Sequence, residues 1–298
     1  MNELFTNEKI LSWLQYYAKN TPVDLERVKM LDITKKNKNV IPTVESHKVT
    51  LVFTQAGDPD IFYRMWNAGL GDCDVWYNEG SEPTGEIKND KLKDMINRGI
   101  NASAAMLIMN PNARSTSKIG MKNMNFSRGS VHYVGSEIRA AMMSKMHIDQ
   151  ADNICIISGE SLAVEAALLA PEGTIIAVEY SQRDRRTLED NAHEFGLHNI
   201  EIIDHVDDES LKGLPVPTFT MLVASASMEQ EIEALLRVNP HMEFLIYTLD
   251  FQCAASLPAL FDHYGIGDTE VIQISVSKLN AKRNMVAEPA PWLITGQA

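Results

Sequence analysis

From residue 48 onward, short apolar runs alternate with segments whose apolar positions recur at helical spacing. Residues 48–53 (KVTLVF), 73–77 and 104–109 read as strands, since β-branched and other apolar residues fill successive positions. Between them, residues 61–68, stopped by Gly69, and 91–97 read as helices, and 55–59 as a turn. Upstream, residues 6–17 predict an amphipathic helix with Ile10, Leu11, Trp13, Leu14 and Tyr17 on one side and Thr6 as N-cap. Residues 19–46 are polar, interrupted by Pro22 and Pro42, and predict no definite element. The polar connector 111–120 then separates a small α/β domain, 1–113, from a second domain, 114–298.

The second domain opens on its most regular stretch. Residues 154–157 (ICII) predict a strand buried on both faces, broken by the turn residues Ser158, Gly159, Glu160 and Ser161. Residues 162–169 (LAVEAALL) predict a helix ended by Pro171-Glu172-Gly173, and 174–178 a second strand ending at Glu179. An acid about 20 positions beyond a strand–turn–helix junction suits a cofactor ribose, because its carboxylate accepts both hydroxyl hydrogens. The plain alternative is any βαβ unit, with Glu179 solvated at a strand end. Alternation continues: helix 183–195, capped by Ser181 and ended by Gly196, strands 199–203 and 219–225, helix 228–238, strand 243–249, helix 252–264. Strands 270–276 and 292–295 follow one another without a helix. The pattern predicts a mostly parallel sheet covered on both faces with an antiparallel finish. That is the layout of a Rossmann-like methyltransferase rather than of a dehydrogenase.

Composition narrows the partners. With 298 residues, 45% hydrophobic and 22% charged, the chain is an ordinary globular protein with length for two cores. A net charge of -13 argues against general nucleic-acid binding, which needs a basic footprint. Cys73, Cys155 and Cys253 are odd in number and lack zinc spacing, so they read as reduced core residues. No stretch is apolar for long enough to span a bilayer, and the first twenty residues carry Glu3, Glu8 and Lys9 instead of a signal sequence; a cytoplasmic location is expected. The one basic region holds Arg114, Lys118, Lys122, Arg128, Arg139 and Lys145 against the single acid Glu137, and predicts an anionic ligand. His193 and His198 lie five positions apart, on different helix faces, which excludes a zinc-protease pair. The acidic run 204–209 reads as a surface loop, so no metal is expected, and no G-x-S-x-G elbow follows any strand.

Several stretches, in order, resemble the two-domain precorrin-6Y methyltransferase (decarboxylating) family of cobalamin biosynthesis. In the second domain these are Asn125-Phe126 through Gly129, Ser136-Glu137-Ile138-Arg139-Ala140, Val164-Glu165-Ala166-Ala167, Ala177-Val178-Glu179, Asn191-Ala192, Glu194-Phe195-Gly196 and Asn199. Ile274-Ser275-Val276-Ser277 and Ile294-Thr295-Gly296 complete the set. The first domain is similar to the back half of that family's tetrapyrrole-methylase part through residues 50–54, Ala68-Gly69-Leu70-Gly71-Asp72, Glu79-Gly80 and Met109-Asn110-Pro111; the front half, with its Gly-Pro-Gly loop, has no counterpart here. The resemblance implies a Rossmann-like methyltransferase fold, S-adenosylmethionine as cofactor, and a carboxylate-rich corrin precursor that is methylated at two ring carbons and loses one acetate carboxyl.

It also places the sites. Ser158, Gly159 and Glu160 stand at the first cofactor loop, Glu179 with Tyr180 at the ribose position, and Ser225 in the loop after the fourth strand. Arg128 and Arg139 are the candidates for the substrate carboxylates; no catalytic residue is assigned. The family's first loop is an acidic residue followed by alternating glycines. Here Ile154, Ile156, Ser158 and Glu160 occupy those positions, Val134-Gly135 replaces a Thr-Lys pair, and His205-Val206 replaces Gly-Asp. Only Glu179 is retained among the cofactor contacts, so weak or absent cofactor binding is expected. Two rivals share the residues: a non-catalytic tetrapyrrole-binding or scaffolding homologue, and a methyltransferase of another substrate. A homo-oligomer is expected.

Overall fold

A computed structural model describes residues 6–34, 39–54, 60–96, 104–113, 119–129 and 134–298, apart from the Glu160 side chain. The expected turn at 55–59, and Arg114 and Lys118, lie outside the described residues. The chain divides into two compact units, one of residues 1–116 with 193–198, the other of 117–192 with 199–298.

The first unit contains α1 (Asn7–Asn20), β1 (Val28–Asp32), α2 (Val40–Ser46), β2 (Val49–Phe53), α3 (Asp60–Met65), β3 (Asp74–Tyr77), β4 (Lys88–Lys91), α4 (Leu92–Met95) and β5 (Ala105–Met109). Thr6 caps α1 by accepting from the Lys9 amide at 3.4 Å. The strands form one sheet in the order β1-β2-β5-β3-β4, parallel between β1 and β2 and antiparallel elsewhere. Strand alternation sorts the core: Val49, Leu51 and Phe53 pack against Trp13 and Tyr17 of α1, while Val52 faces α2 and α3. Three features depart from the sequence expectation. Residues 19–46 hold β1 and α2, whose Val40, Ile41 and Val44 are buried although the segment is polar on average. β4 (KNDK) is a polar edge strand without any hydrophobic signal. The helix expected over 61–68 widens after α3 into a π-type turn, Trp66–Leu70, which breaks at Gly69 (φ 85°), where the stop was expected.

The second unit contains α5 (Ser136–Met146), β6 (Ile154–Ile157), α6 (Glu160–Leu169), β7 (Ile175–Val178), α7 (Gln182–Glu194), β8 (Ile200–Ile203), β9 (Phe219–Val223), α8 (Met228–Val238), β10 (Glu243–Thr248), α9 (Phe251–His263), β11 (Gly267–Gln273), β12 (Ser277–Leu279), β13 (Met285–Ala287) and β14 (Trp292–Gln297). Seven strands order as β11-β14-β10-β9-β6-β7-β8; the five from β10 to β8 are parallel, and β14 is antiparallel to both β10 and β11. This is the Rossmann-like α/β fold with an antiparallel finish. Cys155, Ile157, Ile176, Val178 and Leu222 face one core with α8 and α9, while Ile154, Ile156, Ile175 and Met221 are equally buried. The β12–β13 hairpin is exposed and pairs only with itself, so it carries no buried alternation to read. No helix of the described residues is long and apolar enough to cross a membrane.

Candidate functional site

In an open α/β sheet, ligands settle at the carboxyl ends of the strands, where the strand order reverses. Here that point lies between β6 and β9, because β7 and β8 extend to one side of β6 and β10 to the other side of β9. The sheet brings Ser158 and Gly159, Glu179 and Tyr180, and Ser225 to the carboxyl ends of three adjacent strands, β6, β7 and β9.

Each is held by local geometry. Ser158 takes the left-handed conformation, φ 58°, and its amide donates to the Val178 carbonyl at 2.9 Å. Gly159 is required by close packing: a Cβ there would lie 2.6 Å from Cγ2 of Ile156. Ile156 thus fills the space beneath the loop. Glu160 begins α6. Glu179 is buried, its amide bonded to the Ile203 carbonyl at 3.0 Å. Arg185 fixes the turn beyond it, donating from Nη1 to the carbonyls of Glu179 at 2.7 Å and Tyr180 at 2.9 Å.

Sequence reasoning missed two residues of this crevice. The Tyr180 hydroxyl donates to Oε1 of Glu231 on α8, and the Ser227 hydroxyl donates to the same oxygen at 2.7 Å. Ser227 in turn lies 3.0 Å from the Ser225 hydroxyl. Since β6 lies between β7 and β9, the Tyr180–Glu231 bond spans the end of β6. Acids in a first helical turn are ordinary partners of the helix dipole, and Glu229 shares that turn, so nothing in the sequence distinguishes Glu231. Burial does. Glu231 is only 2% exposed. Burial, then Glu231, pushes the Tyr180 hydroxyl well above its ordinary pKa, and burial with Glu231 pushes the Cys155 thiol up to about 12.

The basic segment separates into two roles. Arg139 is fully buried and bonds Glu165 Oε1 at 3.0 Å, Asn123 Oδ1 and the Val134 carbonyl at 2.7 Å each, and the Met121 carbonyl. Its guanidinium also lies 5.0 Å from the Phe126 ring centroid. A guanidinium so engaged has no face left for a substrate carboxylate; contrary to the sequence expectation, Arg139 is a structural pin. Glu165 completes the pin by accepting the Gly120 and Met121 amides at 2.9 Å each. Arg128 is exposed, beside Ser127, whose amide and carbonyl are both held by buried Asn191 at 2.7 and 3.2 Å.

S-adenosylmethionine, which the fold implies, meets a mixed set of groups. Glu179 follows β7 at the crevice, where this fold can place an acceptor for ribose hydroxyls. Against it, Ile156 occupies the space under the loop, Val206 offers no side-chain acceptor beyond β8, and the Tyr180–Glu231 bond spans the strand end the cofactor would cross. Ser158, Gly159, Glu179 and Ser225 are the residues that would hold it, in a crevice that Ile156 and the Tyr180–Glu231 bond narrow. In the acidic loop, exposed His205 bonds Asp204 at 2.5 Å and Asp207 at 3.2 Å. Among the described residues no group of three or more His, Cys, Asp or Glu side chains is placed to hold a metal ion. In the first unit, a cavity of about 260 Å³ is lined by residues that include Glu45, Gly69, Asp72, Cys73 and Asn110. Two stretches that carried the resemblance, 68–72 and 109–111, meet there.

A family model described as a precorrin methyltransferase domain matches residues 132–287, just over half of the chain. A precorrin-6Y C5,15-methyltransferase from Geobacter metallireducens is 22% identical, with TM-score 0.56 over 60% of this chain and 97% of that chain. A precorrin-8W decarboxylase from Methanobacterium thermoautotrophicum is 14% identical, with TM-score 0.53 over 60% of this chain and all of the other. At such identities the structural likeness establishes the fold. No curated protein matches the chain by sequence.

Proposed function

Because the chain belongs to the precorrin methyltransferase domain family, we propose that it acts on a carboxylate-rich corrin precursor as a precorrin-6Y-type methyltransferase (decarboxylating) with a weakened S-adenosylmethionine site. The supporting observation is the gathering of Ser158-Gly159, Glu179-Tyr180 and Ser225 at three neighbouring strand ends within the family match. Arg128, exposed on a turn anchored by Asn191, is the residue of choice for a substrate carboxylate. The first unit is then the counterpart of the family's tetrapyrrole-methylase part. A second reading, a non-catalytic tetrapyrrole-binding homologue, draws support from the Ile156 packing and the Tyr180–Glu231 bond.

Calorimetric titration with S-adenosylmethionine tests the weakening. The lost acidic anchor at Ile154 and the lost acceptor at Val206 each cost about 1–3 kcal/mol when a donor is left unpaired. At about 1.4 kcal/mol per tenfold, two such losses move a micromolar dissociation constant towards millimolar. A constant at or below micromolar refutes the weakened site. Transfer of labelled methyl groups to a corrin precursor separates the enzyme from the silent homologue. Arg128→Ala is expected to weaken binding of a carboxylated tetrapyrrole by about 1–3 kcal/mol; unchanged affinity at low salt removes Arg128 from the site.

A further inference from the structure

Glu231 has more than a packing role to explain. Its Oε1 accepts the Tyr180 and Ser227 hydroxyls, while its Oε2, equally buried, has no hydrogen-bond partner among the described residues. The carboxylate forms no ion pair among those residues; Arg185, anchored beyond β7, spends its Nη1 on two main-chain carbonyls. A carboxylate withdrawn from water and given only neutral donors is half satisfied. It stands at the switch point of the sheet, where this architecture receives ligands.

We infer that Glu231 is the charge-selecting residue of the crevice at the end of β6: its carboxylate takes the sulfonium centre of a ligand, the Tyr180 hydroxyl gives way, and a sulfonium ligand is preferred over the neutral thioether of the same shape. The inference rests on the reading of this crevice as a methyl-donor site. Its physics is the contrast between two partners for one buried oxygen pair. A phenol supplies a single neutral O–H, whereas a sulfonium supplies a full charge, felt most strongly where water is excluded. The competing account makes Glu231 a helix-start brace for the 225–227 loop; that account predicts lost stability but no discrimination by ligand charge.

The test uses the full chain with two nucleosides, S-adenosylmethionine and S-adenosylhomocysteine, which differ only in the sulfur-bound methyl group and its charge. Dissociation constants are measured for the native protein, Glu231→Gln and Tyr180→Phe, with a thermal melt for each. The native protein is expected to favour S-adenosylmethionine by at least about tenfold, the difference between a charge-assisted and a neutral partner. Glu231→Gln keeps an acceptor for Tyr180 and is expected to bring the ratio close to one. Tyr180→Phe removes the competing donor, keeps the preference, and binds S-adenosylmethionine more tightly than the native protein. A native ratio near one, a ratio unchanged by Glu231→Gln, or failure of both nucleosides to bind either native protein or Tyr180→Phe overturns the inference. Should Glu231→Gln not fold, Tyr180→Phe decides alone, and affinity no tighter than native refutes it. Methyl transfer is a separate readout: a charge preference lost in Glu231→Gln without any transfer keeps this inference and removes the proposed activity, while transfer with an unaltered ratio does the reverse.

Discussion

Replacing Glu165 with alanine is expected to loosen the segment that leads into the methyltransferase unit. Three N–H donors converge on this carboxylate: the Gly120 and Met121 amides at 2.9 Å and Arg139 Nε at 3.0 Å, with both side chains fully buried. Removing one partner of a buried ion pair costs about 3–5 kcal/mol, because the remaining charge is left uncompensated. Arg139 keeps Asn123 and the carbonyls of Val134 and Met121, and Gly120 and Met121 are only half-buried, so water can replace their lost acceptor. The low end, about 3 kcal/mol, follows, against a total of about 5–15 kcal/mol for a folded domain. For a unit of this size it corresponds to a melting temperature lower by roughly 6–12 °C. The assay is hydrogen exchange at the amides of β6 and β7 in increasing urea, which reads the second unit by itself. Amides within 119–127 are expected to lose protection first. Arg139→Met combined with Glu165→Met removes both charges together, and its cost should fall below the sum of the single costs by at least about 1 kcal/mol. Strict additivity, or a change under about 0.5 kcal/mol for Glu165→Ala, would falsify the view of this pair as one pinned unit.

Two further outcomes are expected. Ser158→Gly relieves a left-handed conformation that costs a residue with a Cβ about 1–2 kcal/mol, less about 0.5–1 for glycine's greater freedom when unfolded, so a small gain in stability is expected in urea melts; a loss of that size contradicts the strained turn. The His205 imidazole is held above its ordinary pKa first by its bond to Asp204 and also by Asp207, while the Asp204 carboxyl is held below its own by His205. The His205 contribution to stability is therefore full below the unfolded pKa of about 6.5 and fades as pH rises through the folded value; a proton NMR titration with its midpoint at or below about 6.5 refutes it.

The sequence by itself determined the alternating α/β order of the second unit, from β6 through α9, and its antiparallel finish. Runs such as ICII and IIAV admit few other readings, since strands buried on both faces must be apolar throughout. It also put Ser158, Gly159, Glu179, Tyr180 and Ser225 at strand ends, because motif position along a βαβ unit is a matter of spacing. It was silent on β4 and on the β12–β13 hairpin, where exposed or edge backbone is paired without buried side chains. What the tertiary structure alone decided was the part each charge plays. Arg139 and Arg128 are eleven positions apart in one basic stretch, yet one is fully buried against Glu165 and the other exposed beside an anchored turn. Glu229 and Glu231 share one helical turn, yet only Glu231 meets Tyr180 from another strand's end. A charge acquires its energy from the partners and the water around it, and both are assembled by residues far away in the chain.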